Sequence, residues 1–125
     1  MTDKEWLAAE FERCWAWLAA AVERYGPTHH KEHVWDEIES GKAQLWPLPN
    51  GAMVTTIRQF PTGFTELVGW LAGGDLTEIR AGIPAIEDWA IRAGCHRAVI
   101  HGRRGWVRSL TGYEPVVSTI KKDLI

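Results

Sequence analysis

The segment Ile86-Glu87-Asp88-Trp89-Ala90-Ile91-Arg92-Ala93-Gly94-Cys95-His96-Arg97-Ala98-Val99-Ile100-His101 constrains the fold of this chain most. It reads as an amphipathic helix, a glycine stop and a buried strand. Gly94 supplies the left-handed residue that commonly follows the last helical turn. A basic glycine turn, Gly102-Arg103-Arg104-Gly105, comes next. An earlier strand-like run, Phe64 to Ala72, precedes the helix. Two strands joined through a helix run parallel, with a right-handed crossover. Ligands of open α/β sheets bind at the carboxyl ends of such strands.

The remaining elements follow from periodicity. Thr2-Asp3-Lys4-Glu5 has the form of a capping box. After it Trp6, Leu7, Phe11, Cys14, Trp15, Leu18, Val22 and Tyr25 recur at three- and four-residue steps, one broad apolar helical face. Gly26-Pro27 ends that helix. A second helix is predicted from Lys31 to Glu39, with Val34, Trp35 and Ile38 inward. Short strands follow: Ala43 to Leu48, Ala52 to Phe60 and Phe64 to Ala72. Asn50-Gly51 marks the first turn and Pro61-Thr62-Gly63 the second. Residues 43–72 therefore read as an antiparallel meander. Gly73-Gly74 is expected to break the third strand. The region Asp75 to Ala93 is helical, and Pro84 either kinks it or divides it in two. Past the strand Arg97 to His101, a short helix over Arg104 to Leu110 and a strand over Pro115 to Ile120 complete the order.

The fold class is thus α/β, or α+β in detail: a mixed central sheet with flanking helices and an N-terminal helical pair. A length of 125 residues with even composition predicts one domain, with helices in 1–40 and the sheet in 43–125. Such a chain buries roughly two thirds of its unfolded surface. A net charge of -2 argues against an electrostatically driven nucleic-acid binder. No apolar run reaches the length needed to cross a bilayer. Acidic Asp3 and Glu5 argue against a signal peptide. Cys14 and Cys95, the two cysteines, lie beside apolar residues and read as free thiols in a reducing cytoplasm. Eight tryptophans imply aromatic core plates or an aromatic partner surface.

The order of elements, with Ile86 to Cys95 ahead of Arg97-Ala98-Val99-Ile100, resembles the GNAT N-acetyltransferase superfamily. More narrowly, Trp89-Ala90 with Gly94-Cys95, then Gly102-Arg103-Arg104-Gly105-Trp106, is similar to a compact bacteriophage and prophage group. The resemblance covers roughly residues 34–125. It implies acyl transfer from acetyl-CoA to an amine, small molecule or protein, with the coenzyme between splayed parallel strands. It places Trp70, Leu71, Arg80, Gly82, Arg103 and Arg104 around the coenzyme. Glu66, on a family strand that sometimes carries the base, and His101, at a strand end, are candidate bases. Tyr113 is the candidate acid for the leaving thiolate. Glu66 also fits an outward-facing strand position, His101 a turn cap, and Tyr113 a packing residue.

The chain departs from the family at the coenzyme loop. The two glycine positions of the family motif fall near Thr77 and Ile79. Asp75-Leu76-Thr77-Glu78 reads instead as a helix cap whose carboxylates occupy the amides and repel a pyrophosphate. If the helix began at Pro84, Arg80-Ala81-Gly82-Ile83 would become the loop. These departures favour a module that has reduced or lost its coenzyme site. Its expected partner is a virion or host protein, and its expected location the bacterial cytoplasm or the virion. The alternative is an active acetyl-CoA-dependent N-acyltransferase. His29 and His33 stand four apart, but no further ligand cluster accompanies them, and a solvated segment between helices accounts for them.

Overall fold

A computed structural model describes residues 2–24, 26–101, 110–116 and 119–125. The elements are α1 (Asp3–Glu23), α2 (Lys31–Glu39), β1 (Ala43–Leu48), β2 (Gly51–Gln59), β3 (Thr65–Gly74), α3 (Leu76–Arg92) and β4 (Arg97–Ile100). The sheet order is β1-β2-β3-β4. The first two pairings are antiparallel, and β3 pairs parallel to β4 across the α3 crossover.

Helix starts follow from local chemistry. The Thr2 hydroxyl accepts the Glu5 N–H at 3.2 Å, as the capping box predicts. At α2 a histidine takes the place of the usual glutamate: the His33 ring accepts the His30 N–H at 2.9 Å. The histidine-dense stretch is therefore used in capping. No group of three metal-ligating side chains occurs among the described residues.

Alternation along the strands divides the core into two layers. On one face Phe11, Cys14, Leu18, Val34 and Ile38 of α1 and α2 pack against Ala43, Ala52, Val54 and Leu71. On the other face Ile79, Ile86 and Ala90 of α3 pack against Met53 and Leu67. Trp15, Trp17, Trp35 and Trp70 pack beside the first layer, and Trp46 and Trp89 beside the second. Among the described residues the tryptophans serve mainly as core plates, while Trp6 is exposed. No described helix is long and apolar enough to cross a membrane.

Four expectations need correction. The first turn is Pro49-Asn50, because Leu48 pairs with Gly51 and β2 already starts there. Proline holds φ negative, which excludes the mirror-image turn that Asn-Gly favours. Second, Gly73 and Gly74 continue β3 instead of breaking it. A Cβ on Gly73 would lie 2.5 Å from the Trp17 carbonyl oxygen, so glycine here lets α1 lie directly on the strand. Third, α3 is one helix that runs through Pro84. Pro84 and Arg80 are both exposed, so water can satisfy the Arg80 carbonyl that proline leaves unbonded. Fourth, Pro115, Val116, Thr119 and Ile120 are not in a strand, and Leu110 lies in a bend. The rest of the expected 104–110 helix lies outside the described residues.

Candidate functional site

Pairing between β3 and β4 runs only from Glu66–Arg97 to Gly69–Ile100, while β3 continues to Gly74. At the point where pairing stops, β3 also bulges. Val54 faces Leu71 and Thr55 faces Gly69, which leaves Trp70 without a partner on β2. A bulge bends its strand and sharpens the local twist. Glycine at position 69 suits the narrow end of the seam, since a Cβ there would come within 3.2 Å of the Ile100 side chain.

Beyond this point a cleft opens, with about 730 Å³ of empty space that is partly continuous with solvent. Its apolar walls include Met53, Leu67, Leu71, Ile79, Ile83 and Ile86. Ala21 and Arg24 line it from the α1 side, and Glu87 from α3. Since α1 and α3 cover opposite faces, the lining draws on both faces of the sheet where β3–β4 pairing ends.

Several predicted residues converge here. Trp70 and Leu71 line the cleft at the bulge, and His101 lines it just past β4. The His29 ring meets Trp70 edge-on, centroids 4.9 Å apart. Tyr113 also lines it, and its hydroxyl donates to Glu87 Oε2 at 2.8 Å. Burial first, and then the hydrogen bond to and charge of Glu87, push the Tyr113 phenol far above its ordinary value. At neutral pH it is a fixed donor.

Glu66 lies elsewhere. It is 3% exposed and is not part of the cleft lining. Arg97 donates to its Oε2 through Nε at 2.9 Å and Nη2 at 2.6 Å. Arg58 Nη1 stands 3.5 Å from Oε1. Arg58, Glu66 and Arg97 occupy one cross-strand row, so the carboxylate joins three strands at the far end of the seam. The expected outward orientation is therefore corrected: the side chain is buried and doubly paired. Cys14 and Cys95 are free, with both thiols raised by burial.

Two carboxylates stand at the start of α3. Asp75 Oδ1 accepts the Glu78 N–H at 3.0 Å. The Glu78 carboxylate accepts the Asn50 backbone N–H at 2.8 Å and its side-chain amide at 2.7 Å. The helix starts at Leu76, so the alternative start at Pro84, with Arg80 to Ile83 as a loop, is not adopted. Arg80 is exposed within the helix. Gly82 faces the sheet, where a Cβ would lie 3.3 Å from Met53 Cε and 3.6 Å from Leu48 Cδ2. Its close approach is to side chains of the core, not to a phosphate. Arg103 and Arg104 lie outside the described residues. A pyrophosphate placed at this helix start would meet two carboxylates, so the residues present do not fit that part of a coenzyme.

The architecture has solved counterparts. An aminoglycoside acetyltransferase from an uncultured soil metagenomic sample matches with TM-score 0.62 and 12% identity, over 94% of this chain and 88% of that one. An acetyltransferase of Trypanosoma brucei matches with TM-score 0.60 and 13% identity, over 98% and 96%. A ribosomal-protein-alanine N-acetyltransferase of Brucella melitensis biovar Abortus 2308 matches with TM-score 0.57 and 13% identity, over 93% and 92%. The fold is that of the GNAT acetyltransferases. No family model matches the chain, and no curated protein matches its sequence significantly. At such low identity the likeness concerns the GNAT fold alone.

Sequence reasoning missed the acidic and basic residues of the cleft, Glu87 and Arg24. A signal for each was present. Glu87 stands four residues after Ile83, on the flank of the apolar stripe of α3. Arg24 stands three after Ala21, at the end of the buried face of α1.

Proposed function

We propose that this chain is a GNAT-fold binding module that retains the cleft at the β3–β4 seam but has given up the coenzyme pyrophosphate seat. One observation carries the reading: the Asp75 carboxylate caps the Glu78 amide at the start of α3, and the Glu78 carboxylate, bonded to Asn50, adds a second negative charge there. Glu78 is also tied to the β1–β2 turn, so withdrawing it would break two hydrogen bonds at once. Thermal unfolding with acetyl-CoA tests this. A ligand that binds only the folded state at one hundredth of its concentration stabilises it by about 2.7 kcal/mol. The expected result is no shift at millimolar acetyl-CoA; a saturable rise removes the reading.

A second reading, an active N-acyltransferase, is favoured by the open cleft itself, with His101 and Tyr113 on its walls. Release of free coenzyme thiol in the presence of an amine acceptor would establish it. The expected partner of a non-catalytic module is a virion or host protein. The phage or prophage association rests on the Trp89-Ala90, Gly94-Cys95 and Gly102–Trp106 resemblance alone. Neighbouring capsid or portal genes would support it, and a locus without them would count against it.

A further inference from the structure

We propose that the cleft binds a medium-chain fatty carboxylate, with its headgroup at Arg24 and its chain between β3 and α3. The inference rests on the reading above, because a bound acyl-CoA would claim the same seam.

The walls are mostly apolar, and the buried polar groups within them are already satisfied. The Thr55 hydroxyl accepts from Trp46 Nε1 and donates to Gln44 Oε1, both at 2.9 Å. Among the described residues no buried side-chain polar atom lacks a partner. An apolar body therefore enters without leaving a donor or acceptor stranded, whereas a polar body would lose its own hydrogen bonds to water.

The two sides of the lining differ in charge. On the α3 side stands the Glu87 carboxylate, which already holds the Tyr113 hydroxyl. On the α1 side stands Arg24, which makes no ion pair or side-chain hydrogen bond with another described residue. His101 lines the same cleft. An anionic headgroup is drawn to the guanidinium and repelled from Glu87, so only one orientation of an amphiphile is favourable. A cationic headgroup would have to compete with Tyr113 for Glu87 and would leave Arg24 unanswered. A chain of roughly eight carbons matches the ~10 Å depth of one packed layer.

The test uses the full chain and calorimetric titration with octanoate, octylamine, acetate and acetyl-CoA. Octanoate is expected to bind saturably, with acetate and octylamine at least tenfold weaker. Arg24→Gln lies at an exposed helix end and is expected to melt as the parent does, while losing octanoate affinity by tenfold or more. The inference is overturned if octanoate does not bind, if octylamine binds as well, or if Arg24→Gln binds octanoate unchanged. Should that variant not fold, the octanoate–octylamine comparison on the parent decides alone. Saturable acetyl-CoA binding would instead overturn the preceding reading, and the octanoate titration is scored separately from it.

Discussion

Gly73 sets how closely α1 can approach the sheet. Gly73→Ala would drive a Cβ into the Trp17 backbone, which cannot move without shifting the helix. Overpacking of this kind costs about 1–3 kcal/mol, so the melting temperature should fall by about 5 °C or more. Glu66→Gln should lower stability by roughly 1–2 kcal/mol, discounted because both arginines are about half exposed. Ligand affinity should not change, since Glu66 is outside the cleft lining. Both effects are readable in denaturant melts. Tyr113 makes a pH prediction. Its folded value lies above the unfolded value near 10. Below about pH 10 both states keep the proton and the full stabilisation is present. Above it the unfolded phenol releases its proton first, so stability declines as pH rises. Tyr113→Phe should flatten that decline between about pH 10 and 11. The Arg97–Glu66 pair and the Tyr113–Glu87 bond join residues 26 or more positions apart, so neither could be read from spacing. The Thr2–Glu5 cap, three positions apart, could be read.

At the scale of elements, α3 carries most of the meaning. Its boundaries were legible because Asp75 and Gly94 are local signals. Its continuity was not, because Pro84 permits both a break and a passage. Packing decides for passage: Ile79, Ile83, Ile86 and Ala90 form one stripe toward the sheet, and Pro84 faces water. The meander and the parallel β4 followed from alternation and the crossover rule. The Trp70 bulge did not, since register depends on a partner strand that sequence periodicity does not specify. Replacing Asp75 with alanine should cost about 0.5–2 kcal/mol through loss of the cap, measured by urea unfolding. If the α3 start were a phosphate seat, removing this carboxylate would instead raise acetyl-CoA affinity without a stability cost.

Across the whole molecule, the GNAT fold carries an open cleft where β3–β4 pairing ends, and the start of α3 holds the Asp75 cap with the Glu78 carboxylate beside it. The two facts are physically independent. The seam depends on the bulge and on where β4 ends, and the seat depends on four residues at one helix cap. A fold can therefore keep the cleft and change what enters it. Calorimetric titration of the full chain with acetyl-CoA tests this most directly. A helix start that carries two carboxylates predicts no saturable heat up to millimolar ligand. A saturable isotherm with one site per chain and a dissociation constant below about 0.1 mM, worth roughly 5.5 kcal/mol, would contradict it.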